Sequence, residues 1–535
     1  MIYIRGCLIA LRHHYCTKGL YFVHFLLINL HSLFNCVTFA ADFNQSKVKM
    51  KKTILNLMAF AAASSALAGG LLTNTNQNAA FNRNFAQEGK IDITSIYANP
   101  AGGAFLAPGW HLSLNNQTAF QRRTIDTTFP LFQQNRDNPE QTHSFVGKAT
   151  APAIPSFTAS YNREKWSVSA HFALTGGGGK CEFDRGLGSF EAIAAAIPSA
   201  VTTGIAGQLM ANGYPQPTAS AMAQQVGPDS YSMNSSMKGN SYYFGLQLGG
   251  TYKFTDNISG YVGIRGIYAT CSYEGFVGDF KLYNSQTGAQ ALPSTMMGGA
   301  PYTALVSASY GGADPTITLN CDQTGFGVTP IVGFDWKMND NWNFVAKYEF
   351  KTKMRLENKS EMNDYTASVA EQNATLGQFK DGTKIAADIP AIASAGVQFS
   401  PIEVLRINAG FHYYFDKEAT QYGDKQDRID DNTWEMSAGA EFDCGKRLTL
   451  SAGWQRSKYG LSDAYMNDLS FTTSNNSIGL GARILVTERL NIDFGYMQTF
   501  YDSREVSVKL SEIITKTDKY ERTNRVFGLG VNLKF

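Results

Sequence analysis

The sequence predicts an all-β protein: a fourteen-stranded antiparallel transmembrane β-barrel with an N-terminal plug, or hatch, inside the lumen. Three observations lead there. An export signal stands near the start, a strand ending on a terminal phenylalanine closes the chain, and between them alternating segments are joined by connections that are alternately short and long.

The first 68 residues divide in two. "MKKTILNLMAFAAASSALAGG" begins at Met50 with Lys51 and Lys52, continues through an apolar core, and offers Ala66-Leu67-Ala68 before Gly69. This is the layout of a cleaved bacterial secretory signal at 50–68, which makes 1–49 a mis-called leader. The competing reading of the leader is a membrane anchor at 20–38, but His24, Asn29 and His31 interrupt that run. Removing 1–68 takes away seven basic residues and one acidic residue, so the exported chain is slightly acidic. No basic stripe suggests nucleic acid. Cys181, Cys271, Cys321 and Cys444 remain, with no CxxC spacing, so neither a metal nor a cofactor is implied.

Residues 69–108 are irregular and rich in Asn, Gly and Pro. Unpaired backbone cannot face lipid, so this segment belongs in water or inside a barrel. Residues 109–535 then hold fourteen strand-like segments. They lie near 109–121, 153–162, 165–176, 240–255, 257–272, 322–337, 341–355 and 387–400, then 403–416, 432–443, 446–457, 476–487, 489–501 and 524–535. Within each, apolar residues recur with period two. In "LTLSAGW", Leu448, Leu450, Ala452 and Trp454 oppose Thr449, Ser451 and Gly453. That pattern gives one lipid face and one lumen face. Six short turns, among them "NREK", "TDN" and "CGK", alternate with long loops, which places both termini in the periplasm. The final "RVFGLGVNLKF" ends on Phe535, the terminal residue through which such barrels meet their assembly machinery. Tryptophans near strand ends suit the lipid–water boundary. The mature chain is expected to contain no apolar helix of about 20 residues, which argues against a helical membrane protein.

"NPAG" at Asn99, Pro100, Ala101 and Gly102 stands about thirty residues after the cleavage site and just before the first strand. With "APAIPSFTASYN", "WSVSAHFAL" and the strand count, it resembles the N-terminal hatch and early strands of the FadL family of outer-membrane transporters. The resemblance implies passive uptake of long-chain fatty acids or other hydrophobic small molecules across the outer membrane by a monomer. It also implies a kinked third strand that opens a side window into the outer-membrane lipid, and Gly176, Gly177, Gly178 and Gly179 are the matching positions.

The loops bear on the solute. Residues 187–226 read as two short helices broken at Pro198 and Pro215, with Ile193, Ile197, Leu209, Met210 and Met222 on an apolar side. Met296 and Met297 add to this in the next long loop. Contiguous apolar loop surface marks a binding groove or loops packed on one another. We expect a capture groove for a lipid-like molecule. On the lumen face, Arg265, Asp335, Lys347, Glu349, Arg406, Glu435, Glu441, Arg483 and Asp493 mix signs, which favours bracing of the plug over ion selection. His111, His171 and His412 also point inward. Alternative readings are a haem or hemin uptake receptor, a general porin-like channel, and an adhesin. No GxSxG elbow or other catalytic set is visible, so no enzyme is expected. Cys271 and Cys321 share lumen parity near the outer ends of consecutive strands, which makes them a candidate disulfide.

Overall fold

Alternating burial carries through the chain and closes it into a cylinder. The structure, a computed structural model, describes residues 71–309, 316–372, 374–510 and 514–535. The expected leader and signal peptide lie outside the described residues. Seventeen strands form one antiparallel sheet among those described. They are β1 (Gly109–Thr128), β2 (Thr142–Asn162), β3 (Trp166–Phe183), β4 (Ser230–Thr255), β5 (Ile258–Tyr283) and β6 (Ile317–Lys337). Next come β7 (Trp342–Glu349), β8 (Arg355–Met362), β9 (Lys384–Ala386), β10 (Ile392–Ile402), β11 (Leu405–Tyr414) and β12 (Ile429–Asp443). The series ends with β13 (Leu448–Leu461), β14 (Asn475–Thr487), β15 (Leu490–Tyr501), β16 (Arg504–Lys509) and β17 (Thr515–Lys534).

Fourteen of these make the wall: β1–β7, β10–β15 and β17. The first and last pair from His111↔Lys534 to Thr128↔Thr517, which closes the barrel. The other three are outer extensions. β8 takes over from β7 on the upper part of β6 (Leu319↔Met362 to Thr324↔Glu357), β9 pairs with β8, and β16 folds back on β17. Several strands run further outward than the sequence suggests. β5 reaches Tyr283 and β4 starts at Ser230. Above the hydrocarbon the outer face meets water, so apolar alternation weakens there while the ladder continues. The expected strand at 341–355 is instead interrupted after Glu349.

Lipid-facing side chains such as Leu114, Val262 and Phe326 are exposed, whereas their lumen neighbours are buried. Trp110, Trp166, Trp336 and Trp342 sit outside near the periplasmic turns, where Trp342 stacks on Phe399 at 4.2 Å and Trp110 lies 5.0 Å from Tyr161.

Over the outer mouth lie α2 (Gly188–Ala211), α3 (Gln216–Val226) and α4 (Tyr302–Ser309), following α1 (Ala79–Arg83) in the plug. Pro198 does not break α2, which runs through it for 24 residues. A mid-helix proline costs about 3 kcal/mol, and the burial of Ile193, Ile197, Val201 and Ile205 offsets it. Contrary to expectation, then, one helix is long and apolar enough by composition to cross a membrane. Its apolar residues are buried in the roof of the barrel.

Candidate functional site

The plug occupies the lumen, and its irregular path follows from its asparagines. Asn74, Asn78 and Asn84 each accept a hydrogen bond from a nearby backbone N–H: Asn76 (3.0 Å), Phe81 (3.0 Å) and Ala86 (3.2 Å). Such side chains satisfy a turning backbone locally. The wall meets the plug with glycines. A Cβ on Gly528 would come within 2.8 Å of Ala79 Cα, and one on Gly453 within 3.0 Å of Asn84 Cα. Bare backbone on the wall therefore lets α1 lie directly against it.

The Asn99–Gly102 turn is anchored on both sides. Asn99 Oδ1 accepts from Gly102 N (2.8 Å), while its amide donates to Asp335 Oδ2 (2.6 Å) and to Lys90 O (3.1 Å). Thr251 donates to Pro100 O (3.0 Å) and Ser259 to Ala101 O (2.8 Å). A side chain at Gly102 would meet Asn99 and Asp335, so the close approach needs glycine there.

Some of the mixed charges of the lumen pair with charges on the plug, while Arg265 and Lys347 pair with Glu349 along the wall. Arg83 reaches Glu441 (2.8 Å) and Asp493 (3.1 Å), and Lys90 reaches Glu441 (2.8 Å). Arg483 bridges Asp92 (2.6 Å) and Asp493 (2.9 Å). Burial alone would raise the Asp92 carboxyl; the Arg483 guanidinium overrides it and holds Asp92 far below the usual range. Sequence reasoning marked the wall partners but missed Arg83, Lys90 and Asp92. The only signal for them was a sparse set of charges in an Asn-rich segment, Arg83 followed by alternating Glu88, Lys90 and Asp92. The three inward histidines are engaged too. His111 meets Ala107 O (2.8 Å), His171 meets Thr158 (2.9 Å), and His412 lies between Glu88 (2.7 Å) and Glu435 (3.2 Å).

The four glycines lie where the β2–β3 ladder breaks. β2 and β3 pair normally up to Phe157↔Phe172 and resume only at Lys148↔Glu182 and Gly147↔Phe183. Between those limits the two strands share no ladder pairs. β3 bulges twice against β4, between Leu174 and Gly176 and between Gly176 and Gly179. Gly177 (φ 94°) and Gly179 (φ 64°) take the left-handed backbone that this path requires. On the facing strand, Pro152 and Pro155 lack backbone donors, which suits an unpaired stretch. β3 exchanges its wall partner for the plug: Thr73 bridges Gly176, Asn74 N donates to Thr175 O (2.9 Å), and Asn74 Nδ2 donates to Leu174 O (2.8 Å). Behind the gap lies an apolar cluster of Phe81, Phe85, Ala119, Ile154, Leu174, Met497 and Val526. The gap's lower edge is the exposed pair Phe157 and Phe172, and its upper edge is the charged pair Lys148 and Glu182.

The predicted loop residues come together, but as a closed core. Ile193, Ile197 and Leu209 are buried, and Met210, Met222 and Met296 pack against the same cluster. Met297, 47% exposed with φ 44°, alone turns outward among them. The expected open groove is therefore corrected to a packed roof, because the apolar faces of α2 and α3 satisfy one another and the outer lumen wall. Leu71 belongs to the same cluster, so the apolar interior extends down to the plug's first described residues. One polar knot ties the roof down. Glu191, in the first turn of α2, accepts from Asn135 (2.6 Å) and Tyr231 (3.1 Å) and faces His143 Nδ1 (2.8 Å).

Cys271 and Cys321 are both buried free thiols, against the expected disulfide. The parity was right but the register was not. Cys271 opposes Gln323, and Cys321 opposes Tyr273. This diagonal offset separates the two residues by roughly 7–8 Å, beyond the Cα separation of a disulfide.

Comparison with known proteins agrees with this geometry. The chain matches the family described as outer membrane protein transport protein (OMPP1/FadL/TodX) over residues 59–535. No curated protein sequence matches it. A FadL homologue of Pseudomonas aeruginosa shares the fold, with a TM-score of 0.57 at 16% identity, covering 87% of this chain and 100% of that one. The P. putida toluene transporter TodX aligns with a TM-score of 0.48 at 12% identity, over 83% of this chain and 94% of that one. The CymD monoaromatic hydrocarbon channel aligns at 0.43 and 10%, over 83% and 93%. The chain belongs to the OMPP1/FadL/TodX family of outer-membrane transport proteins.

Proposed function

We propose that this member of the family takes up long-chain fatty acids or other hydrophobic small molecules by passive diffusion, and that the solute leaves sideways between β2 and β3 while the plug stays seated. The observation that carries the reading is the break in the β2–β3 ladder, backed by the apolar cluster of Phe81, Ile154 and Leu174. A solute in that cluster would pass from one apolar surrounding to another, with no desolvation step in water. The edges of the gap fit such an exit: Phe157 and Phe172 belong in hydrocarbon, and Lys148 and Glu182 at its polar boundary. Entry would be through the roof, whose contacts apart from the Glu191 knot are mainly apolar; Met210, Met222 and Met296 supply adaptable surface there. The solved relatives include transporters described for toluene and for monoaromatic hydrocarbons, so aromatic solutes stand beside fatty acids as candidates. The working unit is a monomer in outer-membrane lipid, and Phe535, exposed at the end of β17, would be read by the barrel assembly machinery.

The two bulges give β3 extra residues relative to β4, so deleting Gly177 and Gly178 should straighten the strand and close the gap. Cells carrying this deletion are expected to lose uptake of labelled palmitate and toluene while the barrel still assembles. Uptake equal to that of the unaltered chain would contradict the lateral exit.

A further inference from the structure

Across the lumen from the window, the plug meets β7, β10 and β11 in a different way. A cavity of about 20 Å³ lies there, lined on that side by Thr94, Tyr97, Lys347, Glu349, Ser394 and His412 and on the other by Phe81 of the window cluster. That volume holds about one water. One level nearer the periplasm, Asp335 Oδ1, Asn343 Oδ1 and both amide atoms of Asn408 are buried without a hydrogen-bond partner among the described residues. These side chains belong to neighbouring strands, since Asn343 and Asn408 both flank Gln398 in register. Leaving such groups dry costs roughly 1–3 kcal/mol each, so their natural complement is water.

Between the cavity and these groups stands Glu88. Its Oε1 meets His412 Nε2 at 2.7 Å, while its Oε2 has no partner among the described residues. The carboxylate rests on bare wall: a Cβ at Gly396 would overlap Glu88 Cβ, and one at Gly410 would overlap Glu88 Oε2. Gly89, next to it, lies so close to Val397 that a Cβ there would overlap wall backbone. Glu88 and Gly89 therefore form a wedge, with polar, hydratable surface above and below.

We propose that this seam is a second, hydrophilic route past the plug, for water and small cations, and that Glu88 seated on Gly396 and Gly410 is its gate. The two routes would serve opposite chemistries. Along the seam Glu88 and Glu435 face His412 (2.7 and 3.2 Å), Asp335 accepts from Asn99 (2.6 Å) and Asn343 (3.2 Å), and Lys347 and Arg265 are both taken up by Glu349 (2.7 and 2.6 Å). Four of the five unpartnered atoms are oxygens (Glu88 Oε2, Asp335 Oδ1, Asn343 Oδ1 and Asn408 Oδ1, beside Asn408 Nδ2), which favours a cation over an anion.

The test is single-channel recording of the full-length chain in planar bilayers with KCl, beside palmitate uptake by cells. The unaltered protein is expected to pass little current. Glu88→Ala should give a steady cation-selective current, and Gly410→Ala, which displaces the carboxylate from the wall side, should do the same. Adding Asn408→Leu to Glu88→Ala should abolish the current by making the seam apolar. Silence in both single variants, with the barrel folded, would overturn the proposal. So would a current that persists with Asn408→Leu, because it would then run elsewhere. Palmitate uptake should continue in Glu88→Ala; its absence in the unaltered chain would count against the lateral-exit reading and leave the seam to be judged on current alone.

Discussion

The lower and upper halves of the lumen are built from the same alternating wall, yet they hold their contents in opposite ways. At the periplasmic end, Arg83, Lys90 and Asp92 are fixed by Glu441, Asp493 and Arg483 through short ion pairs. Charge-assisted contacts are directional, and a slight shift leaves a buried charge unpaired. At the outer end, α2, α3 and the loops are held by Ile193, Ile205, Phe190, Tyr302 and their neighbours. Apolar contacts have no preferred direction, so a roof held mainly by them can part with such a penalty confined to the Glu191 knot. The proposed path, with the plug seated and the roof parting, would use these two kinds of adhesion.

Substitutions can break this contrast. The largest effect is expected at the plug seat. Asp493→Ala strips Arg83 and Arg483 of a buried partner and should cost about 3–5 kcal/mol, read as earlier release in urea of a fluorophore attached at Thr94. In the roof, Ile205→Ala removes a buried side chain and should cost about 2–5 kcal/mol. Its signature should differ, with faster hydrogen exchange in α2 and an unchanged plug. If both variants loosened both regions equally, the halves would not be independent.

A smaller effect tests the outer loops by pH. Asp416 is 1% exposed and accepts from Thr433 N at 3.1 Å. Burial pushes its carboxyl up to about 6 from an ordinary 3.8. A raised value means the fold favours the protonated form. The contribution is therefore fully present below pH 3.8 and is lost as pH rises through about 6. A rise of this size corresponds to about 2–3 kcal/mol. Asp416→Asn should strengthen exchange protection around 416–433 at pH 7 and flatten its dependence between pH 4 and 6; an unchanged profile would refute the assignment. Smallest of all, Met297→Asp should alter stability by less than about 0.5 kcal/mol while weakening capture of an apolar solute. Met296→Asp, packed in the roof, should destabilise measurably.

Much of this contrast could be read from the chain before folding. Period-two alternation located all fourteen wall strands, because lipid on one side and plug on the other sort side chains by parity. The wall charges were legible for the same local reason, and the Asn99–Gly102 turn from its Asn, Pro and Gly. What escaped was set by distant partners. The diagonal offset of Cys271 and Cys321 depends on the β5–β6 register, which parity alone leaves open by two residues. The partner that β3 takes at Gly176 is Thr73, about a hundred residues earlier. The continuity of α2 through Pro198 rests on burial against loops that the helix's own sequence does not contain. Lumen glycines such as Gly453 and Gly528 have the pattern of ordinary strand residues, and only the backbone of α1 lying on them gives their reason.

The central claim is that solute passes with the plug in place. A Cβ on Gly530 would stand 3.6 Å from Ala79 Cβ, with only the Asn115 side chain to displace, and 3.6 Å is within the span of a disulfide. The decisive measurement is palmitate and toluene uptake by an Ala79→Cys/Gly530→Cys protein, oxidised and reduced, with exposed Cys444 changed to Ser. Uptake that is the same in both states is the predicted result. Uptake that disappears on oxidation and returns on reduction would contradict it, and would mean that the plug itself must move to let the solute through.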